Sequence, residues 1–550
     1  MAPHRPVPAE LNEDHEIMNT DVVRATGVKD VTVAIRVRDR AAALETCLAS
    51  VLGQSIGTDR LEIIAVDDGS TDESGSVLAR AAHQYPVFVR MGQVSRGLSP
   101  AAARNWALSQ VRGRYVIFLE ATDRLAPDAL ERMVAAADAY EADVVLGKLE
   151  SSGRHKVATS MFRKNQAYAD VHSSRVYWSL TPDKLFRTSL LQRRGLVFPT
   201  DMPIGDDQVF TASAFIGADN VSVVGDATCV VKGPSAPAEA TLPDRVTLVS
   251  RMLALVGSQL EQGPRRDRLH ARHLEVELGK ATASALLSDM DPTERDQTLW
   301  AAAEVLRTQV SPGALALVTR MVAVRFALLE QGRFAEARAM AAFEADRDRP
   351  PVRKTVENGR VFTTLPFFRD PQVGLPDELF DITGDMTVSH QLQKVRWDGP
   401  VMLLDGFGFF EQLSTKDRTT RVVLRERSGA REEVFSVTGR RDETLANAKG
   451  NSRAMGRFSA RVDLAQTSAG RPLAPGVWDL FLAVGFEGVT QEVRLGSRRS
   501  ADVDTTARMP VRIAPAPGAP GLELVAAPHY TRSGGLSVEV AQRTPLPGRS

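Results

Sequence analysis

Residues 61–72 read Leu61-Glu62-Ile63-Ile64-Ala65-Val66-Asp67-Asp68-Gly69-Ser70-Thr71-Asp72. A largely apolar, β-branched run ends in two adjacent carboxylates, and a helical pattern follows from Glu73 to Tyr85. The run predicts a buried strand. Gly69 lets the backbone turn sharply, and Ser70 with Glu73 has the spacing of a capping box for the next helix. These roles leave Asp67 and Asp68 unexplained. Adjacent carboxylates at the carboxyl end of a buried strand repel each other unless something accepts their charge or bonds them. A uracil N3–H or a ribose hydroxyl would do so.

The same alternation extends in both directions. Val31–Ile35 reads as a strand, Arg40–Gly53 as a helix, Val87–Met91 as a strand, Pro100–Val111 as a helix and Tyr115–Leu119 as a strand. Strands alternating with helices of this length predict βαβ units on a parallel sheet. Ligands on such sheets sit at the carboxyl ends of the strands, where both acidic turns fall, after Val66 and after Leu119. From Leu242 to Phe343 the pattern is helical and rich in Ala and Leu. From Val401 onward short β-patterned runs separated by turn residues predict an antiparallel sandwich.

The expected fold is an α/β, Rossmann-like first domain, then a mainly helical region, then a C-terminal antiparallel β-sandwich. Its divisions are a mobile tail at 1–28, the α/β domain at 29–235 and the helical domain at 236–346. A linker at 347–376, the sandwich at 377–505 and a Pro/Gly-rich extension at 506–550 follow. The extension is expected to carry a hairpin pairing Leu522–Val525 with Leu536–Val540.

Bulk properties narrow the function classes. A chain of 550 residues is too long for one core. Lys plus Arg and Asp plus Glu both number 68, so net charge gives no ground for nucleic-acid binding. The two cysteines, Cys47 and Cys229, form no CxxC pair, which argues against structural zinc and fits a reducing cytoplasm. No signal-peptide pattern opens the chain, and no apolar run reaches about 18 residues.

Taken as a set, Val31–Asp39, Val66–Asp72, Tyr115–Leu130 and Pro203–Phe210 resemble the family 2 glycosyltransferases of GT-A fold. The Pro100…Arg104-Asn105 spacing and the three-part architecture are similar to the polyribitol-phosphate glycosyltransferases that decorate wall teichoic acid. The resemblance implies an inverting transfer of a sugar from a UDP-sugar, UDP-GlcNAc among them, to a cell-wall or envelope glycopolymer. It also implies a homo-oligomer, a trimer through the C-terminal region. A lipid-linked acceptor would bring the chain to the inner membrane surface.

Site residues follow from the same resemblance. Where the family has a Pro-x-Tyr-Asn segment against the uracil, this chain has Arg36-Val37-Arg38-Asp39, and the Arg38 guanidinium would stack on the base. Asp68 matches the aspartate that bonds uracil, and Arg104 would reach the nucleotide or pyrophosphate. In Gly205-Asp206-Asp207-Gln208-Val209-Phe210, Asp207 matches the general base and Asp206 would assist or bind the acceptor; a neighbouring carboxylate raises a pKa toward the range a base needs. Without a ligand the same stretch reads as an N-capped helix. Lys184 and Trp178 would line the acceptor side, and Lys232 would meet the diphosphate.

The family's metal-binding Asp-x-Asp turn here reads Glu120-Ala121-Thr122-Asp123. Thr122 offers a neutral hydroxyl where a carboxylate usually touches Mn²⁺ or Mg²⁺. Three readings stay open. Glu120 or Asp123 still holds a metal, or arginines such as Arg38 and Arg104 neutralise the leaving group, or activity is lost and the domain serves as a glycan-binding scaffold.

Overall fold

The computed structural model describes residues 29–95, 99–153, 157–234, 240–413, 418–429, 431–440, 456–505 and 510–544. The tail expected at 1–28 lies outside them. The chain divides into two compact units, one ending at Asp346 and one beginning at Arg347.

The first unit is built on strands β1 (Val31–Val37), β2 (Leu61–Asp67), β3 (Val89–Gln93), β4 (Tyr115–Glu120), β5 (Arg124–Leu125), β6 (Val144–Ser151), β7 (Leu185–Arg187) and β8 (Val221–Lys232). They form one sheet in the order β3-β2-β1-β4-β7-β6-β8-β5. β3, β2, β1 and β4 run parallel, whereas β7 is antiparallel to β4 and β6. Helices α1 (Ala41–Leu52), α2 (Ser74–Gln84), α3 (Pro100–Ser109), α4 (Ala129–Ala139), α5 (Thr188–Arg194) and α6 (Asp206–Gly217) accompany the sheet. Every residue of β2 is buried, as expected of a strand covered on both faces. The chain leaves β1 in one direction for β2 and β3, then returns to the other side for β4. The carboxyl ends of β1 and β4 therefore flank a topological switch point, where such sheets bind ligands.

The turn after β2 is capped differently from the sequence expectation. Glu73 makes no side-chain cap to α2. Asp72 takes that place, its Oδ1 accepting the Ser74 amide at 2.9 Å. Ser70 Oγ instead accepts the Asp39 amide at 3.1 Å, and Asp67 Oδ1 accepts the Ser70 amide at 2.8 Å. Asp67 thus closes its own turn, which accounts for one of the two adjacent carboxylates.

The helical region holds α7 (Leu242–Gln259), α8 (Pro264–His273), α9 (Gly279–Leu287), α10 (Pro292–Gln309), α11 (Pro312–Ala316), α12 (Arg320–Glu330) and α13 (Phe334–Ala345), with a π-helical turn at Leu274–Leu278. Its contact with the α/β domain bears on the site. Gly205, just before α6, has φ +82°, and a Cβ there would stand 2.4 Å from Leu248 Cδ1 on α7. Both the left-handed backbone and the close approach require glycine. None of the described helices is long and apolar enough to cross a membrane.

The second unit opens with a hairpin, β9 (Lys354–Glu357) and β10 (Arg360–Thr363), inside the stretch read as a linker. An antiparallel sheet follows from β11 (Val388–Asp398), β12 (Val401–Phe410), β13 (Thr419–Glu426), β14 (Glu432–Arg440), β15 (Arg457–Asp463), β16 (Gly476–Phe486), β17 (Val489–Arg494), β18 (Val511–Pro515), β19 (Glu523–Tyr530) and β20 (Leu536–Arg543). A Cβ at Gly408 on β12 would meet Leu482 of β16 at 2.3 Å, so the sheet folds over and these strands face each other across the core. The C-terminal hairpin pairs Glu523 with Arg543 through Tyr530 with Leu536. It is an integral part of the sheet, because β20 also pairs with β16.

Candidate active site

At the switch point a cleft of about 600 Å³ is lined by residues that include Arg38, Arg40, Arg104, Glu120, Asp207 and Lys232. Arg36 stands opposite Glu120 in the β1–β4 register. Its Nη1 bonds Glu120 Oε2 at 2.9 Å, and its Nε bonds Asp68 Oδ2 at 2.8 Å. Arg104, one turn into α3, reaches Glu120 Oε1 at 2.7 Å and Asp206 Oδ2 at 2.6 Å. Burial alone would raise the Glu120 carboxyl, but Arg104 and Arg36 override it and hold the group below its ordinary value.

A second charged cluster adjoins the first. Lys232 Nζ, at the end of β8, lies 2.6 Å from Asp123 Oδ2 and 3.0 Å from Asp183 Oδ2. Asp123 Oδ1 accepts the Gly233 amide at 3.1 Å, and Oδ2 also accepts the Glu120 amide at 3.2 Å. β8 approaches the acidic turn so closely that a Cβ on Gly233 would stand 2.0 Å from the Thr122 carbonyl oxygen.

Asp206 and Asp207 form the first turn of α6, following Gly205. Neither caps the helix from its side chain in the usual N-cap position; Asp207 Oδ1 accepts the adjacent Gln208 amide at 2.9 Å. Asp207 is half-buried, and among the described residues it has no ion pair. Burial pushes its pKa up, Arg104 pulls it down, Asp206 pushes it up again, and it stands at about 6. The helix start is fixed from below by an aromatic cluster. Phe210 stacks on Phe198 with centroids 3.9 Å apart, and Phe118 packs edge-on against both.

Most residues singled out from the sequence converge here. Arg36, Arg38, Asp39, Arg104, Glu120, Thr122, Asp123, Asp206, Asp207 and Lys232 all line the cleft. Asp68 is fully buried, off the lining, and bonded to Arg36. Its Oδ1 is buried without a hydrogen-bond partner, an acceptor that a donor group would satisfy. Asp39 Oδ1 accepts the Thr71 amide at 2.6 Å and so staples the loops after β1 and β2 together.

Two expected acceptor residues stand elsewhere. Lys184 is 2 % exposed and donates to the Thr181 carbonyl at 2.6 Å and Ser179 Oγ at 3.1 Å. A buried ammonium needs such partners, and it is Asp183, not Lys184, that reaches the cleft. Trp178 lines a different cavity, where the Arg175 guanidinium lies 4.4 Å over its ring. The sequence reading also passed over Arg40 and Asp183. Asp183 is defined by pairing with Lys232, 49 positions on, at 3.0 Å, a contact that no local spacing announces.

The side chains as arranged do not fit a divalent ion. Both Glu120 oxygens are taken by guanidinium groups and both Asp123 oxygens by Lys232 and backbone amides. Among the described residues no three His, Cys, Asp or Glu side chains converge as a metal-ligand set. Thr122, in the position expected for the central ligand, contributes no charge.

Comparison with known proteins agrees with the geometry. Residues 32–196 match the model for glycosyl transferase family 2, residues 245–341 that for the glycosyl transferase TarS linker domain, and residues 381–540 that for the TarS β-glycosyltransferase C-terminal domain 1. The chain is 24% identical over 486 residues to a poly(ribitol-phosphate) β-glucosyltransferase of Bacillus spizizenii, covering 86% of this chain and 73% of the relative. It superposes on S. aureus TarS with a TM-score of 0.57 at 20% identity, covering 94% of this chain and 88% of that one. The structure of S. aureus TarS 1–349 in complex with UDP-GlcNAc matches with a TM-score of 0.55 at 20% identity, covering 63% and 98%. The first two family models match within the first unit and the third within the second.

Proposed function

We propose, from the match of residues 32–196 to the glycosyl transferase family 2 model, that the chain moves a sugar from a UDP-sugar to a hydroxyl of a polyol-phosphate glycopolymer of the teichoic acid class. Asp207 acts as general base. As the acceptor oxygen attacks the anomeric carbon, its proton passes to the Asp207 carboxylate. The bond from that carbon to the diphosphate breaks, and UDP leaves with the bonding electrons. A single in-line displacement inverts the anomeric centre.

The observation that carries this reading is Asp207 itself. It lines the cleft, carries no ion pair among the described residues, and has a pKa of about 6. A carboxylate with that value is mostly ionised near neutrality and still basic enough to take a proton in the transition state. The donor class is supported by the UDP-GlcNAc in the related complex, and the acceptor class by the B. spizizenii relative's activity on poly(ribitol phosphate).

The test is Asp207→Asn assayed with UDP-glucose and UDP-GlcNAc on poly(ribitol phosphate). Loss of a general base costs about 10²–10⁴ in rate, so turnover should fall by that factor while UDP affinity holds. Undiminished turnover in the variant would remove Asp207 from the base role.

A further inference from the structure

We infer that this site neutralises the donor's diphosphate with its own cations, Arg38 and Arg40 foremost, and that donor binding requires no divalent metal. This rests on the UDP-sugar reading above.

A divalent ion of the Mg²⁺ or Mn²⁺ kind needs charged oxygens free to turn toward it. In the acidic turn they are committed. Glu120 has one guanidinium on each oxygen. Asp123 is 1 % exposed and holds Lys232 together with two backbone amides. Turning Asp123 outward would break a buried ion pair, which costs more than an exposed pair returns. An incoming metal would also face the Arg104 guanidinium and the Lys232 ammonium, both of its own sign. Burial would lower the Lys232 pKa, but Asp183 and Asp123 raise it well above its ordinary value, so it stays charged.

The loop after β1 supplies the opposite chemistry. Arg38 is partly exposed, and its nearest carboxylate oxygen, on Asp68, is 3.8 Å away. The Arg40 guanidinium bonds the Asp39 carbonyl at 2.8 Å and no carboxylate among the described residues. Both line the cleft. Guanidinium groups bind phosphate oxygens through paired N–H donors. Arg36 and Arg104 are balanced by Glu120, Asp68 and Asp206, whereas Arg40 has no carboxylate partner among the described residues and Arg38 only a long contact to Asp68, which Arg36 already holds. The same loop is held in place by the Asp39–Thr71 staple.

The deciding experiment is calorimetric binding of UDP to the full chain, once in EDTA and once in Mn²⁺, with Arg38→Ala and Arg40→Ala beside the parent. The expected result is the same affinity in both buffers within about twofold. Each arginine variant should weaken UDP by about tenfold or more, the worth of a charge-assisted pair, and Mn²⁺ should not restore it. Binding by the parent only in Mn²⁺ would overturn the inference and leave the UDP-sugar reading intact. Binding in neither buffer would overturn the donor reading and this inference with it. Both arginines are partly exposed; Arg38 has only the long 3.8 Å contact to Asp68 and Arg40 no carboxylate partner among the described residues, so the variants test the site rather than the fold.

Discussion

Arg104 Nη1 lies 2.6 Å from Asp206 Oδ2. One contact thereby ties α3 to the first residue of α6, immediately before the proposed base. The same guanidinium is bonded to Glu120, so the ends of β4 and α6 share one cation. Arg104, with the Gln208 amide, keeps the pKa of Asp207 from climbing further, against burial and the Asp206 charge.

The pH dependence of catalysis should show this. A base must be ionised, so kcat/KM should fall as pH drops through about 6, losing about tenfold per unit below it. In Arg104→Met the cation that lowers Asp207 is gone, and the acid limb should move to higher pH. Initial rates measured across pH at limiting donor would read the shift. An unmoved limb would mean that another group sets it.

Asp207 should also cost stability. Its pKa is raised from 3.8 to about 6 on folding, so the folded state holds the proton more tightly than the unfolded one. The penalty of the ionised form is absent below pH 3.8, grows as pH rises to about 6 and is complete above that. It amounts to at most about 3 kcal/mol. Asp207→Asn should therefore raise Tm at pH 7.5 and lose that advantage at pH below 4. An Asn variant with lower Tm at pH 7.5 would contradict the assignment.

Gly233→Ala should loosen the acidic turn. The new methyl would be 2.0 Å from a backbone oxygen of Thr122, which cannot step aside as a side-chain tip can. Overpacking of this kind costs about 1–3 kcal/mol. Thermal unfolding should show the loss, and UDP affinity should weaken as Lys232 is displaced from Asp123. Unchanged values of both would mean that β8 and the turn part without penalty.

Phe210→Ala should damage both stability and rate. The ring is buried, stacked on Phe198 and packed against Phe118 and Phe186. Its removal should cost about 3–5 kcal/mol. Phe210 lies one turn along α6 from Asp206 and Asp207, so kcat should drop more than KM for donor rises. Chemical denaturation and steady-state kinetics together separate the two effects.

Much of the architecture was legible because it is written in local periodicity. The strands from Val31, Leu61 and Tyr115 and the helices between them depend on residues a few positions apart, and apolar spacing reports that directly. Their ends moved by a residue or two, as at α2, where Asp72 rather than Ser70 and Glu73 makes the cap. The cleft residues were legible too, since the carboxyl ends of parallel strands gather on one edge of the sheet. Lys184 and Trp178 were misplaced for the opposite reason. Whether a side chain faces the cleft or the core depends on neighbours far along the chain, such as Phe215, 6.0 Å from the Lys184 ammonium.

Which residues stand at the carboxyl ends of the strands is legible in the sequence, because strand ends and turns follow from patterns each segment carries alone. That Thr122 brings no charge to the acidic turn is equally plain from the sequence. What that loss means depends on pairings made in the folded sheet. Arg36 and Glu120 are 84 positions apart, and Asp123 and Lys232 are 109 apart. Charges so distant in the chain pair only after the sheet has assembled and water has left. In that drier interior an oxygen already holding a cation is not free to take another.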